Sequence, residues 1–231
     1  MAILSDSDAA EVTKIFGVLV RDVHVKVYTQ KLECPTCSDT ETILKELDEL
    51  SDKLKVSFLN PQTDSEDARK DGIERVPALI VTDGTHSRVK FYGTPSGYEF
   101  SSLLTTIIDA GGPEEPLTEG TIQFLSDLDT DIQMLVFVTP TCPHCPGAAV
   151  LASRMARYSS RVRSEVIEAN EFPELSRKFR VQGVPRTIVN GIFYVEGSIS
   201  ETMMTDALKK GLEDAPSEET NLLNYLQNEG G

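Results

Sequence analysis

The sequence predicts an α/β protein of two tandem domains, each a mixed sheet flanked by helices. Three observations carry this. A cysteine pair recurs, as Cys34-Pro35-Thr36-Cys37 and Cys142-Pro143-His144-Cys145, with 108 residues between equivalent positions. Each first cysteine is followed, 43 residues later, by the proline of a Val-Pro step, Val76-Pro77 and Val184-Pro185. The apolar patterning around each pair also runs in one order: an opening helix, then β-α-β-α-β-β-α. The repeat length is that of one small domain.

Each element has its own signal. Val12, Ile15, Phe16, Val18 and Leu19 stand among polar residues between Ala9 and Val20, as in a short amphipathic helix. Val23 to Tyr28 alternates and reads as a strand. After the first cysteine pair, Ile43, Leu44, Leu47, Leu50 and Leu54 recur at helical spacing. Lys55 to Leu59 is a second strand, closed by Asn60-Pro61. Ser65 to Asp71 is a polar helix, and Asp64 to Asp67 is a solvated helix start. Val76 to Val81 opens a third strand on a proline, and Arg88 to Tyr92 makes a fourth after the turn at Asp83-Gly84. Tyr98 to Ala110 closes as a helix.

Gly111-Gly112-Pro113-Glu114-Glu115-Pro116 cannot continue that helix and is the linker. It divides the chain into residues 1–112 and 117–231. The second half repeats the first: a helix over Thr121 to Leu128, a strand over Met134 to Val138 and a helix over Gly147 to Tyr158. Then come a strand over Val162 to Glu168, a short helix over Pro173 to Phe179 and strands over Val184 to Val189 and Ile192 to Val195. Glu201 to Leu212 closes it. Within each half the last two strands can form a hairpin, while the first two need a helical crossover, hence a mixed sheet. Beyond Leu212, Asp214 to Glu219 is loop-like, and Leu222-Leu223 with Tyr225-Leu226 suit a short helix.

The formal charge of −15 argues against non-specific nucleic-acid binding and against an anionic membrane surface. The first residues lack the basic region and apolar core of a signal peptide. No run of about 18 apolar residues is present to span a membrane. The expectation is a cytoplasmic protein. All four cysteines fall into the two pairs, and in a reducing compartment such pairs are more often catalytic or metal-binding than structural.

Two cysteines three apart at a helix start reach disulfide geometry with little backbone change. The first-turn amides have no partners inside the helix, and the dipole favours an anion there, so a thiolate is stabilised. Pro143 and Pro146 fit the same turn, where a missing N–H costs little. Cys142 is then the exposed attacking thiol and Cys145 the shielded resolving thiol; Cys34 and Cys37 take the same roles. His144 has no counterpart in Thr36. An imidazolium beside Cys142 would stabilise the reduced form and make the second site the more oxidising and reactive. Pro77 and Pro185 open apolar strands, where proline loses a ladder bond. Two of them at matching offsets favour cis peptide bonds beside the cysteines.

With these residues the chain resembles the thioredoxin/glutaredoxin superfamily. Two such units in one chain resemble the protein disulfide oxidoreductases, or glutaredoxin-like proteins, of thermophilic archaea and bacteria. Cys142-Pro143-His144-Cys145 also matches the motif of the bacterial periplasmic disulfide oxidant. The resemblance implies two thioredoxin folds, cis Pro77 and Pro185, and substrate contact through Val76 and Val184. It implies reduction, oxidation and isomerisation of protein disulfides without a bound cofactor, and a thioredoxin-reductase-like flavoprotein as electron source.

Two features depart from that pattern. Glu33 and Thr141 stand where thioredoxins carry a tryptophan, and the chain has none. The strand before the second motif is apolar and lacks the usual buried aspartate. Glu168, 26 residues after Cys142, is a candidate proton acceptor for Cys145, against a solvated strand-end carboxylate; its counterpart in the first half is Asn60.

Three rival readings stand beside this one. Two C-x-x-C pairs can build a zinc site, but 104 residues separate Cys37 from Cys142, against about 15–20 in the usual pattern. A client-binding module with merely structural disulfides is a second. A dedicated electron donor to one peroxide-reducing enzyme is a narrower third. His24 and His86 read as structural or surface residues. Gly93 and Gly197 read as turns that need glycine, at a spot where families of this fold receive a client peptide.

Overall fold

The computed structural model describes residues 3–84, 88–113 and 116–213. The readings of His86 and of the segment after Glu213, and Glu114-Glu115 of the linker, lie outside the described residues. The chain divides into two compact units, Met1–Ser96 with Leu103–Glu115 and Gly97–Ser102 with Pro116–Gly231.

The first unit opens with α1 (Asp6–Phe16), started by a reciprocal cap: the Asp8 N–H donates to Ser5 Oγ, and the Ser5 N–H donates to the Asp8 carboxylate. There follow β1 (Val23–Tyr28), α2 (Cys37–Asp48), β2 (Leu54–Leu59), α3 (Ser65–Asp71), β3 (Ala78–Thr82), β4 (Val89–Tyr92) and α4 (Tyr98–Gly111). The first turn of α4 belongs to the second unit. The strand order is β2-β1-β3-β4. β1 runs parallel to β2, with Tyr28 opposite Leu59, and antiparallel to β3, with Tyr28 opposite Ala78. β3 and β4 form the expected hairpin. All five β3 residues are buried, which is why the strand reads as a continuous apolar run.

The second unit repeats this with α5 (Glu119–Ser126), β5 (Ile132–Val138), α6 (Cys145–Tyr158), β6 (Val162–Glu168), α7 (Pro173–Lys178), β7 (Arg186–Val189), β8 (Phe193–Glu196) and α8 (Glu201–Glu213). Its order is β6-β5-β7-β8, with β5 parallel to β6 and antiparallel to β7. The inner face of α6 is made of small residues, Ala148, Ala149, Ala152, Ser153 and Ala156, together with Met155. On α8, a Cβ at Gly211 would collide with the Val189 side chain, so the helix rests directly on β7.

Several details differ from the sequence reading: α1 ends at Phe16 rather than running to Val20, and α4 takes in Gly111, the first residue assigned to the linker. Leu54 continues the helical spacing of α2 but is the first residue of β2. The helix stops at Asp48, and a turn closed by the Leu54 N–H on the Ser51 carbonyl (3.1 Å) intervenes. The Val-Pro steps precede their strands rather than lying in them, since β3 starts at Ala78 and β7 at Arg186. Gly93 (φ +105°) and Gly197 (φ +82°) are the turns expected, each donating its N–H to the carbonyl of Pro77 or Pro185.

One buried polar group organises the first unit. Asp71, at the end of α3, accepts hydrogen bonds from Tyr28 Oη (2.6 Å) and Lys26 Nζ (2.7 Å). Burial first, and then the Asp71 carboxylate, raises the Tyr28 phenol far above its usual range. Removing Asp71 strands a buried hydroxyl and weakens the hold on a half-exposed lysine. Asp71→Ala is therefore expected to lower stability by about 3 kcal/mol in urea unfolding. An unchanged midpoint would show the cluster to be incidental.

Candidate active site

Both cysteine pairs sit where a strand ends and a helix begins. Thr36 and His144 occupy the N-cap positions of α2 and α6, and neither side chain caps its helix. The first-turn amides and the helix dipole are thus left to act on sulfur. One amide further back does so in the first unit: the Gln30 N–H points at Cys37 Sγ, 3.4 Å away.

Each pair is closed as a disulfide, with Cα–Cα separations of 5.4 Å for Cys34–Cys37 and 5.5 Å for Cys142–Cys145. The four sulfurs are consumed in these two bonds. Among the described residues, no group of three or more His, Cys, Asp or Glu could hold a metal ion. The two sulfurs of each pair are unequal. Cys34 and Cys142 are half-buried, whereas Cys37 is 2% and Cys145 0% exposed. This follows from the helix: the first cysteine lies outside its first turn and the second inside it.

The Val76–Pro77 and Val184–Pro185 bonds are both cis. In the second unit the Val184 carbonyl oxygen lies 3.7 Å from Cys142 Sγ. Val76 and Val184 are half-buried and precede Pro77 and Pro185, both of which are buried. The backbone that would meet an extended substrate segment is therefore beside the accessible sulfur of the second unit. His144 is exposed.

The electrostatics beneath the two sites differ. In the first, Thr40 Oγ1 and Thr94 Oγ1 are 2.9 Å apart, and both hydroxyls bond the Thr36 carbonyl. Glu41, one helical turn after Cys37, accepts from Thr29 Oγ1 at 2.7 Å, and that bond holds its carboxyl below the ordinary range. The equivalent position after Cys145 is Ala149, which is buried. Asn60, the counterpart of Glu168, is half-buried and carries no acid function.

Glu168 ends β6 opposite Val138, the last residue before the second motif loop. It is 4% exposed. Its carboxylate accepts from Asn170 Nδ2 (2.8 Å) and from the Glu171 N–H, while burial pushes its pKa up. It is therefore not a solvated strand-end group.

The sequence reading missed a second acid, Glu99. The Tyr98 N–H bonds the Pro140 carbonyl (2.9 Å), and Gly97 (φ +55°) packs so closely on that carbonyl that a Cβ would collide. This fixes the start of α4 against the loop entering Cys142 and turns Glu99 inward. Glu99 is 3% exposed, and neither carboxyl oxygen has a hydrogen-bond partner. Burial, and then repulsion from Glu168, push its pKa up to about 8. No motif marks it; an acid in an otherwise apolar helix face (Leu103, Ile107) was the only available signal.

Comparison with known proteins agrees with this geometry. Residues 131–209 match the model of a thioredoxin domain. The chain is 25% identical over 209 residues to the AhpF component of alkyl hydroperoxide reductase from Escherichia coli K12, a match covering 85% of this chain and 38% of that protein. The chain thus spans about two-fifths of that relative's length. It superimposes on a protein disulfide oxidoreductase from Aeropyrum pernix with a TM-score of 0.87 and 28% identity, over 94% of this chain and 97% of that one. On the AhpF component from Enterococcus faecalis the TM-score is 0.82 and the identity 25%, over 89% and 99%. The repeated fold and its paired cysteines are similar to those of thioredoxin-like protein disulfide oxidoreductases, and residues 131–209 carry the thioredoxin-domain match.

Proposed function

We propose that the chain exchanges disulfides with protein substrates through both CxxC sites, with Cys142–Cys145 the more oxidising and reactive. The observation that carries this is the paired geometry of one accessible and one buried sulfur at a helix start, seen twice. In the reducing direction the Cys142 thiolate attacks one substrate sulfur, and the other leaves as a thiolate and takes a proton. Cys145, deprotonated, then attacks Cys142 Sγ. The substrate's second thiolate departs, and two electrons have passed from enzyme to substrate.

Glu99 and Glu168 supply the proton-accepting function that thioredoxins place on an aspartate, Glu99 being the acid without hydrogen-bond partners of its own. Three features support the asymmetry between the sites. His144 lies between the second pair, the ionised Glu41 lies one turn behind the first, and the buried acids Glu99 and Glu168 belong to the second unit. Residues 1–112 and 117–231 are read as the two domains. A thioredoxin-reductase-like flavoprotein as electron source, a cytoplasmic setting and a thermophilic source belong to the same reading. Among the described residues no helix is long and apolar enough to cross a membrane.

The test is a redox titration of each site in full-length Cys34→Ser/Cys37→Ser and Cys142→Ser/Cys145→Ser chains, alongside insulin disulfide reduction. The second site is expected to have the higher potential by about 30 mV or more, equivalent to roughly 1.4 kcal/mol. Equal potentials would remove the asymmetry. Inactivity of the unmodified chain would leave a client-binding module instead. A second reading, electron donation to one peroxide-reducing enzyme, is favoured by the named function of the E. coli relative. It requires fast reduction of such an enzyme's disulfide together with slow reduction of insulin.

A further inference from the structure

The surface of the second unit has an open depression of about 570 Å³ beside α7, whose polar lining is Asn170, Ser176, Arg177, Arg180 and Gln182. Among the described residues, no carboxylate lines it. The lining itself therefore carries two arginines and no carboxylate, with Glu171 and Glu174 next to it in sequence. Its lining ends at Gln182, two residues before Val184, whose carbonyl is 3.7 Å from Cys142 Sγ. Two residues span at most about 7 Å.

Backbone geometry adds an independent observation. The last turns of α3 and α7 close in the same way. In α3 the Gly72 N–H bonds the Arg69 carbonyl and the Ile73 N–H bonds the Ala68 carbonyl. In α7 the Arg180 N–H bonds the Arg177 carbonyl and the Val181 N–H bonds the Ser176 carbonyl. Both closures need a left-handed residue, and the first unit uses glycine, Gly72 at φ +62°. The second holds Arg180 there at φ +50°, a conformation an L side chain adopts at a cost. The Arg180 carbonyl is itself held by Arg186 Nη1 at 2.9 Å, so the loop is braced. A cationic side chain stands where glycine would fold better, and it faces the depression.

We propose that this depression is a specificity subsite of the second CxxC site and takes an acidic side chain of the protein substrate, about two to four residues from the substrate cysteine. Arg177 and Arg180 supply the charge-assisted donors, and Asn170 and Gln182 the neutral ones. Asn170 is oriented from behind by its bond to Glu168. The inference rests on the proposed disulfide exchange and names which substrates that exchange prefers.

The test uses the full chain in a Cys34→Ser/Cys37→Ser background. The probes are disulfide-linked peptides carrying Glu two, three or four residues from cysteine, their Gln counterparts, and the small disulfide dithiodiglycolate. At low salt, kcat/KM is expected to favour one Glu peptide over its Gln counterpart by about tenfold, the ratio expected of one charge-assisted hydrogen bond. Arg177→Gln and Arg180→Gly should each reduce that ratio, with turnover of the Gln peptide unchanged. Arg180→Gly should also raise Tm, because it relieves the left-handed backbone; a merely structural arginine would not tie that gain to lost preference. A ratio near one in the parent chain, or a ratio that survives both substitutions, overturns the subsite while leaving exchange intact. Arginine-dependent preference for dithiodiglycolate alone overturns the assignment to protein substrates. Failure to turn over any probe overturns disulfide exchange itself, and the subsite with it.

Discussion

Cys142→Ser is expected to reduce exchange at the second site to the uncatalysed rate, whereas Cys145→Ser should stop at a stable mixed disulfide. The two outcomes differ because the two sulfurs do. Cys142 is half-buried beside the Val184 carbonyl, 3.7 Å away, where an incoming segment can align. Cys145 is wholly buried in the first turn of α6. Under the proposed exchange, the more accessible Cys142 meets the substrate sulfur and the buried Cys145 displaces the substrate from it. Non-reducing electrophoresis after mixing with a disulfide substrate should show a covalent complex with Cys145→Ser and none with Cys142→Ser, each measured in the Cys34→Ser/Cys37→Ser background. Complexes of equal yield from both variants would reverse the assigned roles.

Glu99→Gln should have two large consequences, one on stability and one on rate. The carboxyl has an ordinary pKa of 4.5 and is pushed to about 8 by burial and by Glu168. Between these values the unfolded chain has released its proton while the folded chain retains it. Rising pH therefore favours unfolding, by about 1.4 kcal/mol per unit in the middle of that window. At pH 4.5 and below, the parent and the Gln variant should have similar stability. By pH 8 the variant should be the more stable by roughly 3–5 kcal/mol. Urea unfolding across this range provides the measurement, and parallel pH curves would show that Glu99 is not buried as described.

The rate should move the other way. Without an acceptor for the Cys145 proton, the resolving step is expected to slow by about 10²-fold, with attack by Cys142 unchanged. Rapid mixing that separates the two steps tests this. An unaltered resolving rate would make Glu99 a structural liability only, and Glu168→Gln would then carry the question alone.

Much of this site was legible in the sequence because its parts are local. Two cysteines three apart at a helix start, and a proline opening an apolar strand, are set by neighbours a few residues away. The duplication then tested each of these readings against a second copy. The two Val-Pro steps are cis as the matching offsets suggested, and Gly93 and Gly197 take positive φ as turns do. The helix after Ile43 was read too long because Leu54, at helical spacing, faces the core from a strand instead. Spacing reports which residues are buried, not which element buries them.

Residue order alone determines the repeated succession of elements and the pairing of the four cysteines at two helix starts. Packing settles what surrounds them. Glu99 stands 43 residues before Cys142, and it matters only because Gly97 and Tyr98 lock onto the Pro140 carbonyl and withdraw its carboxyl from water. Arg177 and Arg180 are exposed charges, and the closure of α7 on a left-handed arginine brings both to the rim of one open depression. The Glu99 effect depends on desolvation and on contacts between distant segments, and the arginine pair on a local backbone closure; packing creates both, and residue spacing encodes neither.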